Sequence, residues 1–325
     1  MIHVKYISFA DDASAWYRSQ GVFPYIKHED LQFTDISSTK IESWVNCLNA
    51  NILVIQRPST EFHLMIIKQA QQFFMKVIVD FDDDILNIPE HNPAYGIYHP
   101  QIKFIKQIIR IADEVWVSTK SISESFAPFN RNIHIIPNAH NNFVLKDKKP
   151  FNPENKMVVY RGGHTHRFDL YSYREQLVKT AKENHDWAFM YIGADYNEEF
   201  FRANQEADNK NVSVTNGIPF IQYIAHLRFL NAMVAICPLE NTVLNRGKSN
   251  ICFIEAVYAG SAFFANKKLP EFNLDCILPM SALGDTLHGN LTTRLKKCNE
   301  EAWQYIKKNL FLSEINKLRI ERLLK

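Results

Sequence analysis

The chain has 325 residues, enough for two domains of ordinary size, and its 46% hydrophobic and 22% charged residues describe a globular protein with ample core. Lysine and arginine (37) nearly balance aspartate and glutamate (35), so a net charge of +2 announces neither a nucleic-acid protein nor a membrane-surface protein by itself. The first residues read as a strand, so no signal peptide is expected, and no apolar run approaches the ~18 residues of a membrane span. The five cysteines (Cys47, Cys237, Cys252, Cys276 and Cys298) form no C-x-x-C pair and no zinc spacing with histidine, so they read as buried, reduced thiols of a soluble cytoplasmic protein.

Residues 3–9 (HVKYISF) alternate and then run apolar, as a first parallel strand does. Ligands of doubly wound folds meet the loops at the carboxyl ends of strands. The loop over residues 10–24 is therefore a candidate ligand contact through Asp11, Tyr17 and Arg18, the alternative being a polar loop that caps the next helix. Residues 52–56 (ILVIQ) read as a second strand, 61–74 as a helix, and 76–80 (KVIVD) as a third strand that delivers Asp82, Asp83 and Asp84. Burying unpaired carboxylates is costly, so these three face water, cap a helix or serve a site. Asp82 or Asp83 is placed to orient a hydroxyl or act as a base; a divalent cation is the alternative, because hard cations take several oxygens. Residues 99–112 are amphipathic at helical spacing. Residues 113–118 and 132–136 read as strands, and Ser118 and Thr119 as caps of a helix over 120–126. This alternation implies a parallel sheet with helices on both faces. Residues 142–153 lose periodicity and gain lysine and proline, which marks a linker.

The pattern then restarts. A strand over 156–160 runs into RGGHTHRFDL (161–170). A strand, two glycines and a helix start make a seat for phosphate, with Arg161, Thr165, His166 and Arg167 supplying donors around Gly162 and Gly163. Strands over 186–192 and 212–215, a turn at 216–219 and a helix over 220–230 lead to the stretch that organises this half, residues 237–265. Here a buried strand (233–237) opens through a polar loop into a helix whose first turn holds Lys248 and Ser249, with Glu255 about two turns on. Gly260 ends the helix and residues 261–265 form the next strand. A cation and a hydroxyl at a helix N-terminus, beside free backbone N–H groups, suit a phosphate. The alternative is an ordinary βαβ unit whose Lys and Glu face water. Residues 291–325 read as helical and as packing across both domains.

Two doubly wound halves joined by a linker and closed by a C-terminal helix resemble the GT-B glycosyltransferase fold. Pro238, Leu239, Asn245, Lys248, Ser249 and Glu255 match the P-L-x-x-x-x-x-N-x-x-K-S-x-x-x-x-x-E pattern of a branch of retaining GT-B enzymes related to glycosyltransferase family four. Gly162, Thr165, His166, Asp169 and Leu170 resemble that branch's G-S-x-T-H-x-x-D-L element, with Gly163 in place of the serine. Asp82, Asp83 and Asp84 followed by NPAY (92–95) resemble its D-D-D … N-P-A-Y element, and Tyr17, Arg18 and Pro24 its Y-R … P element. The chain departs from the broader family at Gly247, where the first of two paired glutamates would stand, and in the first-strand loop, which lacks the usual glycine pair.

The resemblance implies an α/β chain of two Rossmann-like domains facing a cleft: residues 1–145 for the acceptor, 146–305 for the nucleotide-sugar, and 306–325 as a helix packing back on the first domain. It implies a hexosyl- or pentosyltransferase, retaining, using a nucleotide-sugar donor, UDP-sugar favoured, with no cofactor and no divalent metal. Glu255 would hold the ribose hydroxyls, and Lys248, Ser249 and Arg161 the diphosphate. Gly162, Gly163, Thr165, His166 and Asn245 would line the donor cleft, and Ile218 would touch the nucleobase. Asp82, Asp83 and Asp11 would serve catalysis, and Tyr17 and Arg18 the acceptor. That acceptor is either a carbohydrate or lipid-linked glycan, or a hydroxymethylated base in bacteriophage DNA, for which Lys146, Lys148, Lys149 and the pairs Lys267–Lys268, Lys296–Lys297 and Lys307–Lys308 offer phosphate contacts. The reading from another class is a non-catalytic nucleotide-sugar or nucleic-acid binding protein.

Overall fold

The structure, a computed structural model, describes residues 1–9, 12–37, 48–195, 197–289 and 291–325, with the Ile221 side chain left aside. It contains two six-stranded parallel sheets. The first is built from β1 (Ile2–Ser8), β2 (Leu31–Asp35), β3 (Ile52–Gln56), β4 (Lys76–Phe81), β5 (Glu114–Val117) and β6 (Ile133–Ile135), in the order β2-β1-β3-β4-β5-β6. β3 and β5 are buried at every position, which is why these strands read as continuous apolar runs and not as alternation. The chain leaves β1 outward to β2 and then returns past β1 to β3. That reversal opens a crevice at the carboxyl ends of β1 and β3.

The second sheet comprises β7 (Met157–Arg161), β8 (Ala188–Ile192), β9 (Val212–Thr215), β10 (Val234–Cys237), β11 (Ala262–Ala265) and β12 (Leu278–Pro279), in the order β12-β11-β10-β7-β8-β9. Its reversal lies between β7 and β10, whose register pairs Ile236 with Tyr160. The loops that leave these two strands are the two that carry the phosphate-seat motifs. Among the described residues no helix is long and apolar enough to cross a membrane.

The C-terminal region differs from the single helical reading. It forms two helices, Thr292–Asn309 and Leu312–Leu323. The break has a backbone cause: His140 N donates to Leu310 O (2.7 Å) and Leu312 N donates to His140 O (2.8 Å), so the chain pairs with the segment just before the linker where it crosses between sheets. The first helix buries Leu295, Ala302 and Ile306 against the second half. The second helix buries Leu312, Ile315 and Leu323 with Val4, Tyr6, Ile78, Trp116 and Ile136 of the first half. His140 is packed among Tyr258, Trp303 and Phe311, and burial lowers its pKa to about 4, so it stays neutral at this crossing.

Gly260 closes the helix Ile251–Tyr258 at φ +100°, a backbone conformation that side-chain-bearing residues rarely adopt. An added Cβ would meet the linker carbonyl of Pro150 at 2.7 Å. Gly260→Ala is expected to lower the unfolding free energy by about 1–3 kcal/mol, read by urea denaturation. An unchanged midpoint would mean that the linker does not pack there.

Candidate active site

A cavity of about 500 Å³ lies between the carboxyl ends of the two sheets. The first half contributes Ser14, Arg57, Asp82, Asp83 and Tyr98 to its wall, and the second half contributes Arg161, Gly163, Thr165, His166, Asn245, Lys248 and Ser249. Arg161 is the last residue of β7 and Lys248 lies in the loop after β10, so both stand at the switch point of the second sheet. Lys248 and Ser249 precede the helix Ile251–Tyr258 and do not sit in its first turn: a short helix, Val243–Arg246, capped by Thr242, occupies the loop first. The wall therefore combines a cation, a hydroxyl and the N-terminus of the eight-residue helix.

The charges of the two halves meet. Lys248 Nζ lies 2.9 Å from Asp83 Oδ1. Arg57 Nη2 reaches Asp82 Oδ1 (2.6 Å), Asp83 Oδ2 (3.1 Å) and Ser14 Oγ (2.8 Å). Arg57 follows β3 directly and holds φ +50°, a conformation that costs a non-glycine residue and persists where the surroundings hold it. Burial pushes the Asp83 carboxyl up, but Lys248 and then Arg57 outweigh it and hold the pKa at about 2. Burial works against charge at Lys248 as well, and Asp83 overcomes it, so the ammonium pKa is raised. The three aspartates separate in role. Asp82 belongs to Arg57, and Asp83 is shared between Arg57 and Lys248. Asp84 accepts from Asn87 Nδ2 (2.8 Å), three residues on, and from Ser125 Oγ (3.1 Å) in the helix Lys120–Phe126. Among the described residues no group of three or more His, Cys, Asp or Glu side chains is arranged to hold a metal ion.

His166 is held by its neighbour three residues on. Its Nδ1 meets Asp169 Oδ2 at 2.8 Å, and Asp169 Oδ1 accepts from Asn245 Nδ2 (2.6 Å) and Glu240 N (3.0 Å). The carboxylate orients the imidazole and ties the β7 loop to the β10 loop. Thr165 O accepts from Asn92 Nδ2 (3.0 Å), so the NPAY segment reaches across from the first half.

Glu255 is 2% exposed and lies behind the cavity wall. Its Oε2 accepts from Arg161 Nη2 (2.6 Å) and its Oε1 from the Tyr17 hydroxyl (3.1 Å). Burial raises the Glu255 carboxyl above its usual range, with Arg161 and Tyr17 pulling against it. Tyr17 thus bonds to the second half, and the structure places it behind the wall with Glu255. Arg18 is also away from the cavity. Its Nε and Nη2 clasp both oxygens of Asp80 (2.7 and 2.8 Å), and its Nη1 donates to Ile136 O (2.6 Å) and Asn138 Oδ1 (3.0 Å). An expected acceptor contact at Arg18 meets a guanidinium that is fully buried in the sheet's own hydrogen bonds. Arg18 reaches the cavity only through Asn138, whose Nδ2 donates to Ser249 Oγ (2.8 Å).

Gly162 and Ile218 do not line the cavity. Gly162 packs directly over the Tyr160 ring, where a Cβ has no room, and Ile218 is half-buried against the core of the second half. Asp11 lies outside the described residues. Gly247 sits where the halves touch: its carbonyl accepts from Thr119 Oγ1 (3.1 Å), and an added Cβ would stand 3.1 Å from Asp84 Cβ. Four of the nine lysines offered for phosphate contacts have partners of their own, two of them in exposed pairs. Lys296 and Lys297 face Glu300 and Glu301, and Lys148 and Lys267 donate to backbone carbonyls. Sequence reasoning passed over Arg57, Ser14 and the orienting role of Asp169. Arg57 stands at the carboxyl end of a buried strand beside the switch point, which is the signal that would have found it.

The fold and cleft define two Rossmann-like domains face to face, the GT-B architecture. The structure is similar to S. aureus TarM (TM-score 0.63, 14% identity, 84% of this chain and 55% of that chain). It is similar to alpha-glucosyltransferase (AGT) in complex with UDP (TM-score 0.64, 10% identity, 100% of both chains). AGT is also described with UDP and a 13-mer DNA containing a central A:G mismatch (TM-score 0.63, 11% identity, 99% of both chains). A third similarity is to the pneumococcal O-GlcNAc transferase GtfA in complex with UDP and GlcNAc (TM-score 0.59, 14% identity, 87% of this chain and 60% of that chain). The chain thus spans little more than half the length of TarM and the whole of AGT. No protein-family model and no curated protein matches the sequence.

The pairing of Asp83 has a pH signature. Its folded pKa, about 2, lies below the ordinary 3.8, so its contribution is full above pH 3.8 and is lost as pH falls through about 2. That gap is worth about 2 kcal/mol at neutral pH, about half of it gone by pH 3. Asp83→Asn is expected to lower the unfolding free energy by that amount at pH 7, with the difference from the natural chain shrinking between pH 4 and pH 2. Urea denaturation across that range checks it; a pH-independent difference would contradict the ion pair.

Proposed function

We propose that the chain is a glycosyltransferase that moves a sugar from a UDP-sugar to an acceptor hydroxyl. The observation that carries this reading is the meeting, across one cleft, of cations from the switch point of the second sheet with aspartates from the first. Breaking the bond between a sugar's anomeric carbon and its diphosphate builds negative charge on the leaving group. Lys248, Arg161, the Ser249 hydroxyl and the N-terminus of the helix Ile251–Tyr258 are donors fixed where that charge would grow. Pre-set donors of this kind contribute strongly to transfer reactions because they need no rearrangement as charge develops. The matched motifs support the family-four branch, and with it retention of anomeric configuration and transfer without a divalent metal, the fixed cations taking the metal's part.

In this reading the diphosphate takes Lys248 from Asp83. Asp83 stays on Arg57 and faces the acceptor side with Asp82. The Tyr17–Glu255 bond opens with the cleft, and Glu255 becomes available to the ribose hydroxyls. Closure of the halves over the donor then excludes water and limits hydrolysis. The acceptor favoured is a hydroxymethylated base in DNA, because one of the full-length similarities is to AGT, which is described with DNA. Such a base must be turned out of its stack to reach a cleft. A carbohydrate or lipid-linked glycan hydroxyl is the second acceptor.

The test is a panel of UDP- and GDP-sugars against acceptors that include hydroxymethylated DNA. Transfer from a UDP-sugar is expected, and donor binding without turnover on any acceptor would replace the enzyme reading with a binding protein. Lys248→Ala is expected to weaken UDP binding at least about tenfold by calorimetry, the value of one charge-assisted hydrogen bond. Unchanged affinity would remove Lys248 from the donor site.

A further inference from the structure

Two of the cysteines, separated by the 14 residues 238–251, meet at the floor of the cleft. Cys237 is the last residue of β10 and Cys252 lies in the first turn of the helix Ile251–Tyr258. Their sulfurs are 3.2 Å apart, and both side chains line the cavity. A disulfide needs S–S of about 2.05 Å, so closing the bond asks for a movement of about 1 Å. The two residues differ in character. Cys252 is the more exposed, stands at a helix N-terminus and faces Arg161; the hydrogen bond it shares with Cys237 and the guanidinium outweigh burial and lower its thiol pKa, while Cys237 is raised. One thiol is thus set up as the nucleophile and the other as its resolving partner. The other described cysteines, Cys276 and Cys298, are buried, and burial raises both.

We propose that Cys237 and Cys252 are a modification site, a dithiol that a hydroperoxide converts to a disulfide fastening the loop that carries Asn245, Lys248 and Ser249. The Cys252 thiolate attacks the peroxide oxygen, the O–O bond breaks, and a sulfenic acid forms with release of an alcohol or water. Cys237 then attacks that sulfur, the S–O bond breaks, and water leaves as the S–S bond forms. Two thiols give up two electrons and the peroxide takes them. The bond encloses the whole of the loop between β10 and the helix. Lys248 then loses the freedom to leave Asp83 and follow a phosphate; this consequence rests on the donor reading above, while the modification itself does not.

The test treats the full-length chain with stoichiometric hydrogen peroxide and reads three quantities. Peptide mapping without reductant is expected to show one bridge, Cys237 to Cys252, with the chain lighter by two hydrogens and the other thiols free. Hydrogen exchange over residues 238–251 is expected to slow on oxidation and recover with dithiothreitol. UDP affinity is expected to fall at least about tenfold on oxidation and to recover likewise. In Cys237→Ala and in Cys252→Ala, peroxide is expected to leave exchange and affinity at each variant's own starting values. Oxidation of Cys252 to sulfinic acid without a bridge, a bridge to another cysteine, or a bridge that leaves loop exchange unchanged would overturn the proposal. A reduced chain that fails to bind UDP would instead overturn the donor reading, with mapping and exchange still deciding the modification.

Discussion

The ion pair between Lys248 and Asp83, 2.9 Å long, is the contact on which the arrangement of the cleft depends. It joins the loop after β10 to the loop after β4, and so joins the two sheets at the point where their charges face each other. Arg57 makes it a network, because one guanidinium holds Asp82, Asp83 and Ser14 together. Removing one partner of such a network leaves a charge half-buried and unpaired, which costs far more than an exposed pair contributes. The contact is therefore both a tether and a stored binding site: a stronger anion that enters the cleft competes for the same ammonium.

Further contacts between the halves lie around it. Tyr17 bonds to Glu255, Asn138 to Ser249, Thr119 to the Gly247 carbonyl and Asn92 to the Thr165 carbonyl. Each ties the first half to the second, and most end on a donor-side residue. Behind them, Arg18 links Asp80 in β4 to the carbonyl of Ile136 and to Asn138. The N-terminal core is thereby connected to the hydroxyl of Ser249 through hydrogen bonds alone. Opening the cleft breaks these polar contacts and parts the rings of Trp16 and Tyr17 from Phe220 and of His91 from Phe168, while the large apolar clusters stay within their halves, apart from the C-terminal helix that crosses at His140 and Phe311. Gly247 fits this picture. A Cβ there would stand 3.1 Å from Asp84 Cβ and 3.2 Å from Ile122 Cγ1, so those neighbours would have to give way, and the glycine serves here as an interdomain contact.

Much of the fold was legible because its parallel strands are short runs rich in β-branched residues. ILVIQ over 52–56 and VSVT over 212–215 are strands with the expected bounds, and the helix Phe220–Leu230 has the bounds its periodicity gave. The edge strand β2, LQFTD, was passed over because only Leu31 is buried, and β12 because it is two residues long. The break near Leu310 was invisible because its cause is a backbone pairing with His140, far away in sequence. In the site, the matched motifs supplied Asp82, Asp83, Thr165, His166, Asn245, Lys248 and Ser249 to the cavity, and the residue just before one of them, Arg161, joins them there. Motif matching could not separate residues that face the cavity from those that brace it. Arg18 and Glu255 sit within the matched patterns yet point into protein, and Arg57 faces the cavity yet belongs to no pattern. The meeting of Cys237 and Cys252 likewise depends on how tightly the loop folds back on β10, which spacing alone does not state.

The most direct test of the account is a crystal structure of the chain with UDP bound. The account predicts the β-phosphate within about 3 Å of Lys248 Nζ, with Asp83 turned away from Lys248 and held by Arg57 alone. UDP seated away from Lys248, or a Lys248–Asp83 pair intact with UDP in the cleft, would contradict it.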